Sequence, residues 1–330
     1  MGRWARLAGV AAGAAATSLA VTALTERTGV RVDRFVVETG RPGLPPAGLT
    51  ILHLSDFHFC ASGGTQQRKI DALHRQLAGV SFDILAVTGD LVHDAAGFPV
   101  ALELLSTLRP RARLAAFSVP GNHDYAEYSV WGVFQTAGRE GEAGAVVAPA
   151  PMAGARQMAA YARKVLRNEL VRIPVAFNDV AAWDVSLRSI GIEPLVNRAA
   201  AIDFPGGRMW VIGVDDHTEG RPDLSLALRD VPDGQPLLAL AHNPDAWLEP
   251  AIQRADLVLA GHTHGGQIRL PVMGAVHTQG THLTRQHPSG WFRRGETWMF
   301  VSRGVGESIP LRIGAPPQAA LITLRPLRPD

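Results

Sequence analysis

Residues 50–58 read TILHLSDFH, and the fold turns on this stretch. Thr50-Ile51-Leu52-His53-Leu54 is a short run, apolar at successive rather than alternate positions; Ser55-Asp56-Phe57-His58 then turns polar. Such a run suits a strand buried on both faces, with its polar residues crowded at the carboxyl end. The design recurs four times. Ile84-Leu85-Ala86-Val87 leads into Thr88-Gly89-Asp90, and Leu114-Ala115-Ala116-Phe117-Ser118-Val119 into Pro120-Gly121-Asn122-His123-Asp124. Leu237-Leu238-Ala239-Leu240 leads into Ala241-His242-Asn243, and Leu257-Val258-Leu259-Ala260 into GHTHGG, residues 261–266.

Helical periodicity fills the intervals. Residues 66–79 gather Ile70, Leu73 and Leu77 on one face, and residues 98–108 gather Leu102, Leu105 and Leu108. Residues 244–254 open on Asn243-Pro244, a cap and a first turn, which predicts a third helix. Further strands are expected near 194–197, 199–204 and 208–214, with Gly206-Gly207 as a hairpin turn. Strands alternating with helices give an α/β class.

Composition sets bounds. The 330 residues are 46% hydrophobic and 19% charged, a globular balance with room for a sizeable core. The net charge is +2, and no basic cluster with interleaved aromatics occurs, so nucleic-acid binding is not expected. Cys60 is the lone cysteine, which rules out an internal disulfide.

The amino-terminal end differs from the rest. Arg3 and Arg6 precede an apolar, Ala-rich stretch, Leu7 to Leu24, closed by Glu26 and Arg27. Three readings stay open: an uncleaved membrane anchor, a cleaved signal peptide, or an Ala-rich soluble helix. The expected organisation is an N-terminal signal or anchor segment at 1–27, a linker at 28–47, and one domain at 48–327 with an insertion at about 125–180. Within that insertion, 136–160 is rich in Ala, Gly and Pro. Residues 156–170 suit a basic amphipathic helix carrying Arg156, Arg163, Lys164 and Arg167. The expected location is at a bacterial inner or plasma membrane through the N-terminal segment, with export after signal cleavage as the alternative.

Ligands gather at the carboxyl ends of strands in α/β sheets. The five run ends here carry Asp56 and His58, Asp90, Asn122 and His123, His242, and His262 and His264. This set offers carboxylate, carboxamide and imidazole, and no thiol. It suits manganese first, with iron, zinc or cobalt as alternatives. Asp56 and His58 stand two apart, so if the strand persists they project to one face. His262 and His264 share that spacing. One member of each pair can serve one metal while its neighbour serves another, and Asp90 is the natural bridge.

In this order, SDFH, TGD, PGNHD, AHNPD and GHTHGGQ resemble the calcineurin-like metallophosphoesterases over about residues 48–327. The tail VSRGVGESIPLRIGAPP, residues 301–317, is similar to a bacterial, often membrane-associated subgroup that includes some UDP-2,3-diacylglucosamine pyrophosphatases. The resemblance implies a four-layer αββα sandwich, here with the apolar N-terminal helix ahead of it. It assigns Asp56, His58, Asp90 and His264 to a first metal, and Asp90, Asn122, His242 and His262 to a second. His123 becomes the proton donor. The implied activity is hydrolysis of a phosphoester or pyrophosphate by a metal-bound hydroxide held between two divalent ions. Two substrates stay open, a lipid-linked one such as UDP-2,3-diacylglucosamine and a soluble phosphodiester. A catalytically silent metal-binding module and a membrane-tethered interaction module are the rivals. Departures are visible too. His93 stands where the family often has an acid that orients the catalytic His, so either the adjacent Asp94 substitutes or His123 is oriented otherwise. Gln318 stands in place of the subgroup's usual Glu.

Overall fold

The computed structural model describes residues 26–61, 63–128 and 174–327. The apolar helix expected at 7–24, the Ala/Gly/Pro-rich stretch at 136–160 and the basic helix at 156–170 lie outside the described residues. Among those described, no helix is long and apolar enough to cross a membrane.

In chain order, β1 (Arg31–Thr39) and β2 (Leu49–Leu54) precede α1 (Gly64–Leu77), β3 (Phe82–Thr88), α2 (Phe98–Leu108) and β4 (Ala112–Val119). A short α3 (Asn122–Tyr125) leads to β5 (Ala126–Tyr128); β6 (Pro174–Phe177), α4 (Val180–Ser189), β7 (Glu193–Pro194), β8 (Arg198–Phe204) and β9 (Gly207–Gly213) follow. Then come α5 (Leu224–Leu228), β10 (Leu237–Leu240), β11 (Leu257–Ala260), β12 (Arg269–Leu270), β13 (Gly274–Ala275), β14 (Gly290–Arg294), β15 (Thr297–Val301) and β16 (Gln318–Pro326).

Two six-stranded sheets result, ordered β1-β16-β2-β3-β4-β7 and β14-β15-β11-β10-β9-β8. Within them β2, β3 and β4 run parallel, as do β9, β10, β11 and β15. The sheets pack face to face on Ile51, Ile84, Phe117, Leu238, Leu240, Leu259, Phe300 and Ile322. The outer face of the first sheet is covered by α1, α2 and α4 through Leu73, Leu77, Leu104, Leu105 and Leu187. That of the second is covered more thinly, by Leu224 and Leu228 of α5 and by Trp247 and Ile252. This is the expected order of layers, helix, sheet, sheet, helix. The apolar runs are continuous because β3, β10 and β11 are buried at every position.

Some expectations change. Residues 31–39, read as linker, form the edge strand β1, parallel to β16. Arg31 and Arg34 mask a run rich in β-branched residues and Phe35 that fits a pleated, half-buried edge. The helix expected over 244–254 is two 3-10 segments, Pro244–Leu248 and Pro250–Arg254. Pro250 lacks an N–H and its ring excludes a continuous helix. Asn243 does cap the first segment, accepting from the Asp245 N–H at 2.9 Å. On α2 the inward face is Phe98, Ala101, Leu104, Leu105 and Leu108, with Leu102 only partly buried. The hairpin between β8 and β9 turns on Pro205-Gly206, with Gly206 at φ +87°.

Candidate metal centre

The carboxyl ends of β2, β3, β4, β10 and β11 meet at one end of the sandwich, and they bring all eight sequence-selected side chains together. Asp56, His58, Asp90, Asn122, His123, His242, His262 and His264 are all buried. The local route differs from the one expected. β2 stops at Leu54, so Asp56 and His58 do not share a strand face. Their backbones turn left-handed instead, at φ +53° and +46°. Asp90, His262 and His264 do the same at +53°, +70° and +52°. These five are the majority of the nine described non-glycine residues with positive φ. Each such residue stores roughly 1–3 kcal/mol of strain, which persists only where the surroundings over-determine it. Here the Asp56 N–H donates to the Gly89 carbonyl at 2.9 Å, and the His58 N–H to the Asp90 carbonyl at 3.1 Å. The Gly261 N–H reaches the His242 carbonyl at 2.9 Å.

Asp90 lies at the middle of the cluster. Its Oδ2 is 3.3 Å from His58 Nε2 and 3.3 Å from His242 Nε2, while Oδ1 accepts the His123 N–H at 2.8 Å. On one side, His58 Nε2 is 3.0 Å from His264 Nε2, which is 3.7 Å from Asp56 Oδ1. On the other, His262 Nδ1 is 3.1 Å from His242 Nε2. Two sets of donor atoms could therefore each hold a cation: Asp56, His58, Asp90 and His264, and Asp90, His242 and His262. Asp90 belongs to both. Asn122 is fully buried, and its carboxamide meets the Tyr128 hydroxyl. A fully buried carboxamide beside the second set offers one more oxygen donor to a cation. The donor set thus fits a pair of divalent ions.

The electrostatics agree. Burial pushes the Asp90 carboxyl up, but the imidazoles of His242 and His123 outweigh it and hold it well below the usual carboxylate range. The His242 imidazole is disfavoured as a cation by burial, yet the Asp90 carboxylate pulls it up to about 10. A supporting bond aims the His242 ring, whose Nδ1 faces the Thr88 carbonyl at 2.8 Å; Ser308 Oγ lies 3.0 Å from His264 Nε2, the same nitrogen that faces His58. His53 lies beneath, in contact with Thr88 Oγ1 at 2.8 Å, and burial pushes it down to about 3, so it stays neutral.

His123 heads α3. Its ring meets His58 edge-on with centroids 4.5 Å apart, Tyr128 at 4.8 Å, and His93 in a near-stacked pair at 5.7 Å. The Asp94 carboxylate reaches Cys60. Burial first, and then Asp94, push that thiol up to about 11. His123 is oriented by neighbouring rings and by its backbone, whose carbonyl accepts from Asn178 Nδ2 at 3.2 Å.

Two residues that organise the site were not singled out from the sequence. Asp124 accepts the N–H groups of Leu91 and Gly121, both at 2.8 Å, tying the β3 and β4 loops together. An acid three residues after Gly121, placed to accept its N–H at the start of a helix, was the available signal. Arg312 is completely buried and donates to the carbonyls of Arg303, Gly304, Gly306 and Ala315, which fixes the tail against the site. Nothing local marks an arginine within PLRIGAPP as a carbonyl clamp. Arg303 also has a structural role, bonding Asp33 at 3.1 Å and the Pro316 carbonyl at 3.0 Å.

Close packing around Asp56 yields a test. A Cβ on Gly261 would sit 1.9 Å from Ser55 Oγ and 2.4 Å from Asp56 Oδ2. Gly261→Ala is therefore expected to cost about 1–3 kcal/mol of stability and to weaken metal retention. Thermal unfolding with and without added manganese reads both, and an unchanged melting temperature would contradict the packing described.

Over residues 49–266 the chain matches the family described as calcineurin-like phosphoesterase. It is 35% identical to the metallophosphoesterase YkuE of Bacillus subtilis, over 36% of this chain and 42% of that one. It is 33% identical to the phosphodiesterase YaeI of Escherichia coli, over 42% of this chain and 50% of that one. With UDP-2,3-diacylglucosamine pyrophosphatase LpxG of Chlamydia trachomatis it shares 27% identity over 83% of each chain. The match to YkuE and YaeI thus spans half or less of those relatives' length. With a family match covering most of its length and every signature residue gathered at one end of the sandwich, the chain belongs to the calcineurin-like phosphoesterase family.

Proposed function

We propose that the chain is a dinuclear, metal-dependent hydrolase of a phosphoester or pyrophosphate bond. The observation that carries this reading is Asp90 shared between two adjacent sets of buried donors. Asp56, His58, Asp90 and His264 would hold one divalent ion, and Asp90, Asn122, His242 and His262 the other, with manganese the first choice and iron, zinc or cobalt alternatives. When bound, such a pair lowers the pKa of a water and offsets charge on the phosphoryl oxygens. The chain's own residues do the rest. The five left-handed ligand positions fix the donors before substrate arrives, and burial excludes bulk water. His123 delivers a proton to the departing oxygen, a role suited to an imidazole near neutral pH.

Lipid-linked pyrophosphates are the favoured substrate class. Likeness to LpxG over most of both chains supports this. So does the apolar stretch at Leu7 to Leu24 in the sequence. Just after it, Glu26 accepts from the Gly314 N–H at 2.7 Å and Arg27 pairs with Glu307 at 3.0 Å, which fastens the following chain at the end of the sandwich that carries the metal centre. An anchor at 1–27 would hold the site at a membrane surface; export after signal cleavage is the alternative. Likeness to YaeI supports the second reading, a soluble phosphodiester.

Purified, manganese-loaded protein assayed against UDP-2,3-diacylglucosamine and bis(p-nitrophenyl) phosphate decides between them. The first reading expects the pyrophosphate to be cleaved with the higher kcat/KM. The reverse order favours the soluble diester, and turnover of neither, with metal retained, favours a silent module.

A further inference from the structure

A pocket of about 260 Å³ opens beside the metal centre, on the His58 side. That is slightly below the roughly 300–1,000 Å³ usual for ligand pockets, so it has room for a charged group rather than an acyl chain. His58 and His93 line it toward the metal centre. One wall is the first two turns of α1, from Gly63 to Lys69; the other is the tail at Glu307, Ser308 and Pro310, with Arg27 at its edge. Ser308 also touches His264, so the pocket and the first set of donors share a wall.

Its electrostatics favour an anion. Among the described residues Glu307 is the sole carboxylate lining it, and each of its oxygens is already engaged, Oε1 by Arg27 at 3.0 Å and Oε2 by Lys69. Two lining cations thus face one anion. Arg312 stands 3.9 Å behind Glu307, where Glu26 and Asp56 are the other acids within its influence. Lys69 is almost wholly buried, and desolvation lowers it to about 8, so it is mostly charged at neutral pH. An ammonium has three donors and a guanidinium five, so neither is exhausted by one carboxylate oxygen. The amino end of α1 adds to this. It has no acidic residue in its first turn and no side-chain cap, so the positive end of its dipole is uncompensated beside the cations.

We propose that this pocket receives a second phosphate of the substrate, the one not cleaved at the metals, through Lys69, Arg27 and the amino end of α1. The proposal rests on the hydrolase reading and deepens it, because a pyrophosphate carries that second group and a simple diester does not.

The test uses the manganese-loaded full chain and two uridine substrates, UDP-2,3-diacylglucosamine with two phosphates and uridine 5′-(p-nitrophenyl phosphate) with one. In Lys69→Met and in Arg27→Gln, the ratio of kcat/KM for the first substrate over the second is expected to fall about tenfold, the loss of one charge-assisted contact. Arg27 is partly exposed, so Arg27→Gln keeps the comparison available if Lys69→Met does not fold. An unchanged ratio, whether both rates fall together or neither falls, overturns the subsite and leaves the hydrolase reading standing. Failure of the unaltered protein to cleave either substrate removes the hydrolase reading and the subsite with it.

Discussion

Asp90→Asn is expected to leave the protein folded, strip it of at least one metal ion, and lower kcat by on the order of a thousandfold, about 4 kcal/mol of barrier. The substitution is nearly isosteric, so the acceptor for the His123 N–H survives and the β3 loop has no steric reason to move. What disappears is the charge. Oδ2 lies 3.3 Å from both His58 Nε2 and His242 Nε2, between the two donor sets, and a neutral amide there cannot bridge two cations. Removing one partner of a buried charged cluster also leaves the others uncompensated. Metal per chain by elemental analysis, read beside kcat, checks the outcome. A variant holding two ions with full turnover would contradict the role given to Asp90.

His123→Ala is expected to do the opposite with metal. It keeps both ions and loses roughly 10²–10⁴ in turnover, the usual range for general acid catalysis. His123 does fall within a third group of imidazoles, with His58 and His93, whose nitrogens lie close enough to hold an ion. That group has no carboxylate, whereas each of the other two does, and its His58 already belongs to the first set. Metal content therefore separates a proton donor from a ligand. Leaving-group dependence sharpens the comparison: p-nitrophenolate leaves without a proton, so the loss should be far smaller for a nitrophenyl ester than for an alkyl ester. Equal losses for both esters, or an ion lost with the imidazole, would overturn the assignment.

Much of this centre was legible in the sequence because the strands carrying it are buried on both faces. Burial at every position of β3, β10 and β11 forces continuous apolar runs, and a run that ends abruptly in Asp, Asn or His marks where ligands can stand. The conformation at those ends was not legible. The two-residue spacing of Asp56 and His58 suggested an extended strand, yet both sit in the left-handed region, a state that tertiary packing imposes and local propensity disfavours. β1 was hidden by its two arginines, tolerable on an edge strand and foreign to the central runs. After Asn243 the periodicity suggests one helix, and the backbone effect of Pro250 overrides it. Arg312 shows a different limit: its function is to donate to carbonyls, and carbonyls have no sequence signature. Position 93 holds a ring where an acid was expected, and only the fold shows that Asp94 turns to Cys60 while His93 lies beside His123.

The shared carboxylate is tested most directly by electron paramagnetic resonance of the manganese-loaded protein. Two ions per chain with an exchange-coupled spectrum are expected, with the coupling lost in Asp90→Asn. A single ion per chain, or two ions with the spectrum of isolated manganese, would contradict a centre bridged by Asp90.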